Sequence, residues 1–198
     1  MKQAAAVHEA GHIVAAYLVN LSCESVQVND EGDGRLEIDY GALKQVASVM
    51  MSMNICPDFR EFLSQQNKEM LSYLANQLCV VLVAGGVAEG ICVNGRDYCG
   101  MAQVELTGPD LIRAETISSY FDINLNQIIK DVYEFLKLDV VWATVTALKE
   151  AMLNSPNYCL EASDTNNGAC QSVCVNGFFG LLQYRHSVFK NYAELIQC

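Results

Sequence analysis

Basic residues are scarce in this chain. Twelve Lys and Arg stand against 23 Asp and Glu in 198 residues, a net charge of −11. Nucleic-acid phosphates demand a basic surface, so the balance argues against a nucleic-acid partner, and equally against an anionic membrane surface. Long apolar runs are missing too. The longest, Leu78 to Ala88, falls short of the roughly 20 residues that cross a bilayer, so no membrane partner is expected. No secretory leader is visible at the N-terminus, where a helical pattern begins at once. A cytoplasmic location is the expectation. No G-x-x-x-x-G-K-S/T phosphate loop occurs, which excludes an ATPase module of that type, and nothing repeats at a fixed period. Histidine is rare as well: three in the whole chain, two of them four residues apart.

Those two belong to His8-Glu9-Ala10-Gly11-His12. The surrounding run, Lys2 to Asn20, reads as helix. Ala4, Ala5 and Ala6 are strong helix formers, and Val7, Ile13, Val14, Tyr17 and Leu18 fall on a helical stripe. Residues four apart on a helix share a face, so His8 and His12 can aim two imidazoles at one point, with Glu9 beside it. This is the H-E-x-x-H arrangement: two zinc ligands and a carboxylate placed to take a proton from metal-bound water. A chance match of three fixed positions is the competing explanation. The helical context that the chemistry requires favours the metal.

Catalytic zinc usually takes three protein ligands and keeps a fourth position for water. A metzincin would place Gly and then His beyond the motif, where this chain has Ala15 and Leu18. That class is excluded. A gluzincin would draw a Glu from a later helix. Glu31 and Glu37 are weak candidates, because Asn29 to Gly34 reads as a turn and Arg35 to Tyr40 alternates like a strand.

A stronger candidate lies further on. Leu82-Val83-Ala84-Gly85-Gly86-Val87-Ala88-Glu89-Gly90-Ile91 closes an apolar helix, and Leu106-Thr107-Gly108-Pro109-Asp110-Leu111 follows after a Gly-containing loop. Together with the first motif, the chain resembles the FtsH-like zinc metallopeptidases, the protease domain of the AAA+ membrane proteases. Their pattern is a helix with H-E-A-G-H, a short β element, a helix ending A-G-R-x-A-E-E, and a T-G-A-x-x-D loop that opens another helix. His8, Glu9 and His12 match the first motif without change. Residues 84–90 match the second, with Gly86 in place of Arg and Gly90 in place of the last Glu. Thr107-Gly108-Pro109-Asp110 is a shortened form of the third. The resemblance covers roughly residues 1–155 and is patchy between motifs.

The resemblance implies a mainly α peptidase domain with a small β-hairpin, zinc held by His8, His12 and Asp110, and Glu9 as general base. It implies a peptide or unfolded protein as substrate. Pro109 suits a first helical turn, Thr107 could cap it, and a carboxylate at Asp110 suits the helix dipole. An ordinary first-turn carboxylate is the alternative for Asp110. Glu89 would hydrogen-bond the outer nitrogen of a ligand histidine, or else be a solvated Glu near a helix end. The family's ATPase and membrane segments have no counterpart here. Two rivals follow: a zinc-bound but non-proteolytic interaction module, and a structural helical protein with a fortuitous motif.

The remaining expectations are organisational. Residues 1–155 would form the peptidase domain, with a Cys-containing loop and last helix in 156–198 packed on it. That tail could cover the site or support a homo-oligomer. Glu24 to Val28 and Arg35 to Asp39 would pair as a hairpin, either binding substrate by strand addition or serving as a plain ribbon. Helices are expected over 41–53, 69–91, 110–121, 125–136 and 139–153, the last two packed as a pair. Residues 56–68 read as a loop with a helical piece and 154–176 as a long irregular loop. Of the nine cysteines, Cys79 and Cys92 are expected to pack as small hydrophobes. Cys159, Cys170 and Cys174 read as plain thiols in preference to a metal site or disulfide.

Overall fold

A computed structural model describes residues 2–55 except 20, 22, 30, 32 and 39, together with 65–95, 108–155 and 159–161. The fold is mainly helical. The elements are α1 (Lys2–Leu18), β1 (Cys23–Val28), β2 (Gly34–Ile38), α2 (Tyr40–Ile55), α3 (Gln65–Asn94), α4 (Pro109–Phe121), α5 (Leu125–Leu136), α6 (Asp139–Asn154) and β3 (Cys159–Glu161).

α1 is buried on nearly every side. From Ala6 to Ala16 only His8 retains appreciable exposure. A helix can be enclosed this way when small residues let its neighbours approach, and α1 has them. A Cβ on Gly11 would lie 2.6 Å from the Ala84 carbonyl oxygen and 2.6 Å from the Ala88 Cβ, so the backbones of α1 and α3 cross in close contact there. α6 packs on another side of α1, and β1 and β2 lie on a third. α3 is the second central element, with α4 and α5 packed against it. The apolar core runs through Ile13, Val14, Leu78, Val81, Val87, Phe135, Val145 and Leu148.

The strands make one antiparallel sheet in the order β2-β1-β3. Val26 pairs with Leu36 on one side and Leu160 on the other, and Val26 and Leu160 are fully buried. A register shift between Cys23 and Ser25 absorbs one residue. Cys23 can therefore share the core side with Val26 and Val28 although its spacing to Val26 has the wrong parity. The β1–β2 loop is closed by Asn29, whose side-chain oxygen accepts the Asp33 N–H at 2.7 Å.

Several expectations are corrected. α3 runs from Gln65 to Asn94, well beyond its apolar middle, and residues 65–68 belong to it rather than to the preceding loop. Its Asn67–Asn94 stretch is long and apolar enough by length and composition to cross a membrane, the one such helix among the described residues, and most of it is buried in the fold. α5 and α6 do not form a pair: α5 packs chiefly on α3, and α6 on α1. The long loop expected over 154–176 contains β3, so the hairpin is part of a three-stranded sheet. Cys79 is buried as expected, but Cys92 is exposed. Burial pushes the Cys23 and Cys79 thiols up to about 12. Cys159 lies in β3 and is partly exposed. Residues 56–64, Cys170, Cys174 and the remainder of the tail lie outside the described residues.

Candidate metal centre

Three elements meet at His8 and His12. α1 supplies both imidazoles, their centroids 4.6 Å apart and nearly perpendicular. α3 passes beside them at Gly85. α4 begins above them and supplies Asp110 from its first turn. The start of α4 depends on glycine: Gly108 has φ 101° and ψ −178°, a region open essentially to glycine alone. Pro109 then occupies the first helical turn, as its fixed φ favours. Thr107, the expected cap, lies outside the described residues, and among the described residues no side chain caps the start of α4.

A backbone hydrogen bond fixes the His12 tautomer. His12 Nδ1 donates to the Val81 carbonyl oxygen at 2.6 Å, which can only accept, so the neutral ring carries its proton on Nδ1 and its Nε2 lone pair is free. His8 lies between two carboxylates, with Nδ1 3.4 Å from Glu89 Oε2 and Nε2 3.4 Å from Asp110 Oδ2, and the tautomer that donates to Glu89 likewise frees Nε2. Both Nε2 atoms face Asp110 Oδ2, each at 3.4 Å, and the three candidate ligand atoms all lie within 4.8 Å of one another. Three lone-pair donors directed at one point repel unless a cation stands between them. A proton can do this for one histidine. A metal ion can do it for all three donors, and the group could hold one.

The charge pattern agrees. Burial opposes protonation of His8, but the Asp110 carboxylate, helped by Glu9 and Glu89, outweighs it and raises its pKa. When the rings carry a proton on Nε2, hydrogen bonds from His12 and His8 hold the Asp110 carboxyl far below the usual carboxylate range. His12 is almost fully buried, whereas His8 and Asp110 remain partly exposed. A small ligand can therefore reach the point of convergence from the His8–Asp110 side.

Glu9 lies next to this point, 4 % exposed. Its Oε2 has no hydrogen-bond partner among the described residues. Burial raises its pKa, more than the nearby histidines lower it. An unpaired buried carboxylate is costly and persists where a function needs it. Two glycines make room for the arrangement. A Cβ on Gly34, at the start of β2, would lie 2.0 Å from Glu9 Oε1. One on Gly85 would lie 2.4 Å from His12 Nε2 and 2.6 Å from His8 Nε2.

All five site residues expected from the sequence, His8, Glu9, His12, Glu89 and Asp110, are therefore brought together. Glu31 is exposed in the β1–β2 turn and takes no part in the cluster. Glu37 stands in β2 opposite Ser25, and its side chain lies outside the described residues. Sequence reasoning missed Gly85, Gly34, the Val81 carbonyl and Arg113. Gly85-Gly86 did carry a signal, because paired glycines inside a helix cost stability and mark close approach. Glu89→Ala should weaken metal binding roughly tenfold, the low end for a group orienting a ligand histidine, because the contact is long and Glu89 is half-exposed. Calorimetric titration reads this directly, and unchanged affinity would make Glu89 a solvated surface group.

No protein-family model, curated protein or solved structure matches this chain.

Proposed function

We propose that this chain is a zinc-dependent metallopeptidase of the FtsH-like kind. The observation that carries the reading is the convergence of two H-E-x-x-H imidazoles and the Asp110 carboxylate, with the buried Glu9 carboxylate, its Oε2 unpartnered among the described residues, beside them. The donor set suits zinc: two nitrogens and one carboxylate oxygen. Tetrahedral zinc with bonds of about 2.1 Å sets neighbouring ligand atoms about 3.4 Å apart, the separation of Asp110 Oδ2 from each Nε2. The family assignment rests on the three sequence motifs together with this convergence.

Zinc bound there supplies a Lewis acid that polarises the scissile carbonyl and makes water a nucleophile at neutral pH. The chain's residues do the rest. Glu9 takes the proton of the attacking water and passes it to the leaving amine. Val81 and Glu89 keep the histidine protons on Nδ1, leaving each Nε2 free to bind metal.

By itself this stretch, which holds no ATPase loop, would act on a peptide or an already unfolded protein. β2 begins over Glu9, and among the described residues it is one of the two edge strands of the sheet, β3 being the other, while β1 is paired on both sides. Strand addition along β2 would lay an extended substrate beside the site. The free thiols Cys23, Cys79 and Cys92 suit a reducing, cytoplasmic setting.

Hydrolysis of casein, an unstructured polypeptide, tests the activity. The zinc-loaded protein should cleave it, a chelator should stop cleavage, and added zinc should restore it. Binding of zinc with no cleavage of casein or short peptides would leave the non-proteolytic module as the function.

A further inference from the structure

Asp110 has two carboxylate oxygens, and the fold uses them differently. Oδ2 faces both histidine Nε2 atoms at 3.4 Å. Oδ1 accepts a hydrogen bond from Arg113 Nη1 at 3.0 Å. Asp110 and Arg113 are three residues apart on α4, so they are neighbours on one helix face. Arg113 is 67 % exposed. As a surface ion pair this contact contributes little to stability. Its position beside a convergent donor set gives it another role.

We infer that Arg113 is a positioning residue that keeps Asp110 a one-oxygen ligand. The inference rests on the metal-site reading above. A carboxylate can bind a metal through one oxygen or through both. A guanidinium hydrogen bond to Oδ1 engages that oxygen's lone pair and holds the carboxylate plane, so only Oδ2 is offered to a metal. Three donor atoms, one from each residue, then leave one tetrahedral position for water or substrate, the arrangement of catalytic rather than closed zinc sites. Without Arg113 the carboxylate can rotate and bring Oδ1 into that position. The variant would still bind metal, but its coordination would be more crowded and its water less available. In Arg113→Lys the ammonium could donate one charged hydrogen bond to Oδ1 and restore part of the constraint, since the observed contact uses a single nitrogen.

The test uses cobalt(II) as a spectroscopic substitute for zinc, on the full-length wild type, Arg113→Ala and Arg113→Lys. The expected wild-type spectrum has the intense visible bands of a four-coordinate ion. Arg113→Ala should bind cobalt but show weaker bands, as coordination number rises, and Arg113→Lys should lie between the two. Thermal unfolding of the three metal-free proteins should agree closely, as expected for an exposed pair. Arg113→Ala with the wild-type spectrum would overturn the inference while leaving the metal site intact. A wild type that binds no cobalt or zinc would instead overturn the metal site itself.

Discussion

Glu9→Gln should retain its metal, lose peptide hydrolysis, and yield a metal-free protein more heat-stable than wild type. Glu9 is not among the three converging donors, so metal content should be unchanged. Removing a general base typically costs about 100- to 10,000-fold in rate, readable as kcat on a fluorogenic peptide. The stability gain follows from burial. Glu9 is enclosed with one oxygen unpartnered, and its folded-state pKa is raised by that burial. A group whose folded pKa exceeds its unfolded value favours folding most at low pH. It loses that contribution as pH rises through the folded pKa. At neutral pH the ionised carboxylate is therefore a net cost, on the order of 1–3 kcal/mol for an unsatisfied buried group. The neutral amide removes much of it. A gain in Tm of roughly 2–6 °C is expected at pH 7.5 for a chain of this size, shrinking towards zero near pH 4. Full activity in the variant would remove Glu9 from the mechanism. An unchanged Tm at both pH values would show that its carboxylate is solvated.

Gly85→Ala should abolish tight metal binding while the fold persists. The added methyl would lie 2.4 Å from His12 Nε2 and 2.6 Å from His8 Nε2, closer than any nonbonded carbon can stand. One side must yield. The rings cannot retreat easily, because His12 is tied to the Val81 carbonyl and His8 to Glu89. Displacing both ligand nitrogens should weaken metal binding by more than the about 10- to 100-fold that follows loss of an orienting partner. Overpacking costs about 1–3 kcal/mol, partly offset because alanine is the better helix former by about 1 kcal/mol. Circular dichroism should therefore stay helical while zinc competition against a chromogenic chelator fails. Wild-type affinity would mean that α3 stands further from the histidines than this packing requires.

The helical motif was legible because its chemistry and its packing share one period. His8 and His12 are four apart, and small residues beside them let α3 approach. The start of α4 was legible from Pro109, which suits a first turn, whereas the need for Gly108 shows only in its backbone conformation. β3 was not. Three residues in a polar, Cys- and Asn-containing stretch have no periodicity to read, and their strand state comes from pairing with β1. The ends of α3, Gln65 to Lys68 and Cys92 to Asn94, were invisible for a related reason: helix continues there without an apolar stripe. The packing of α6 on α1 was hidden because periodicity shows which face is apolar but not what covers it. Arg113 carried only the ordinary signature of a helix-surface ion pair. Its second meaning depends on Asp110 meeting two histidines from the far earlier α1.

The most direct test of the central claim is metal content by mass spectrometry on purified wild type and Asp110→Ala, without added metal. About one zinc per wild-type chain is expected, lost in the variant while its helical content is unchanged. Zinc retained at full stoichiometry after the substitution, or no zinc in the wild type even when it is supplied, would contradict the metal centre.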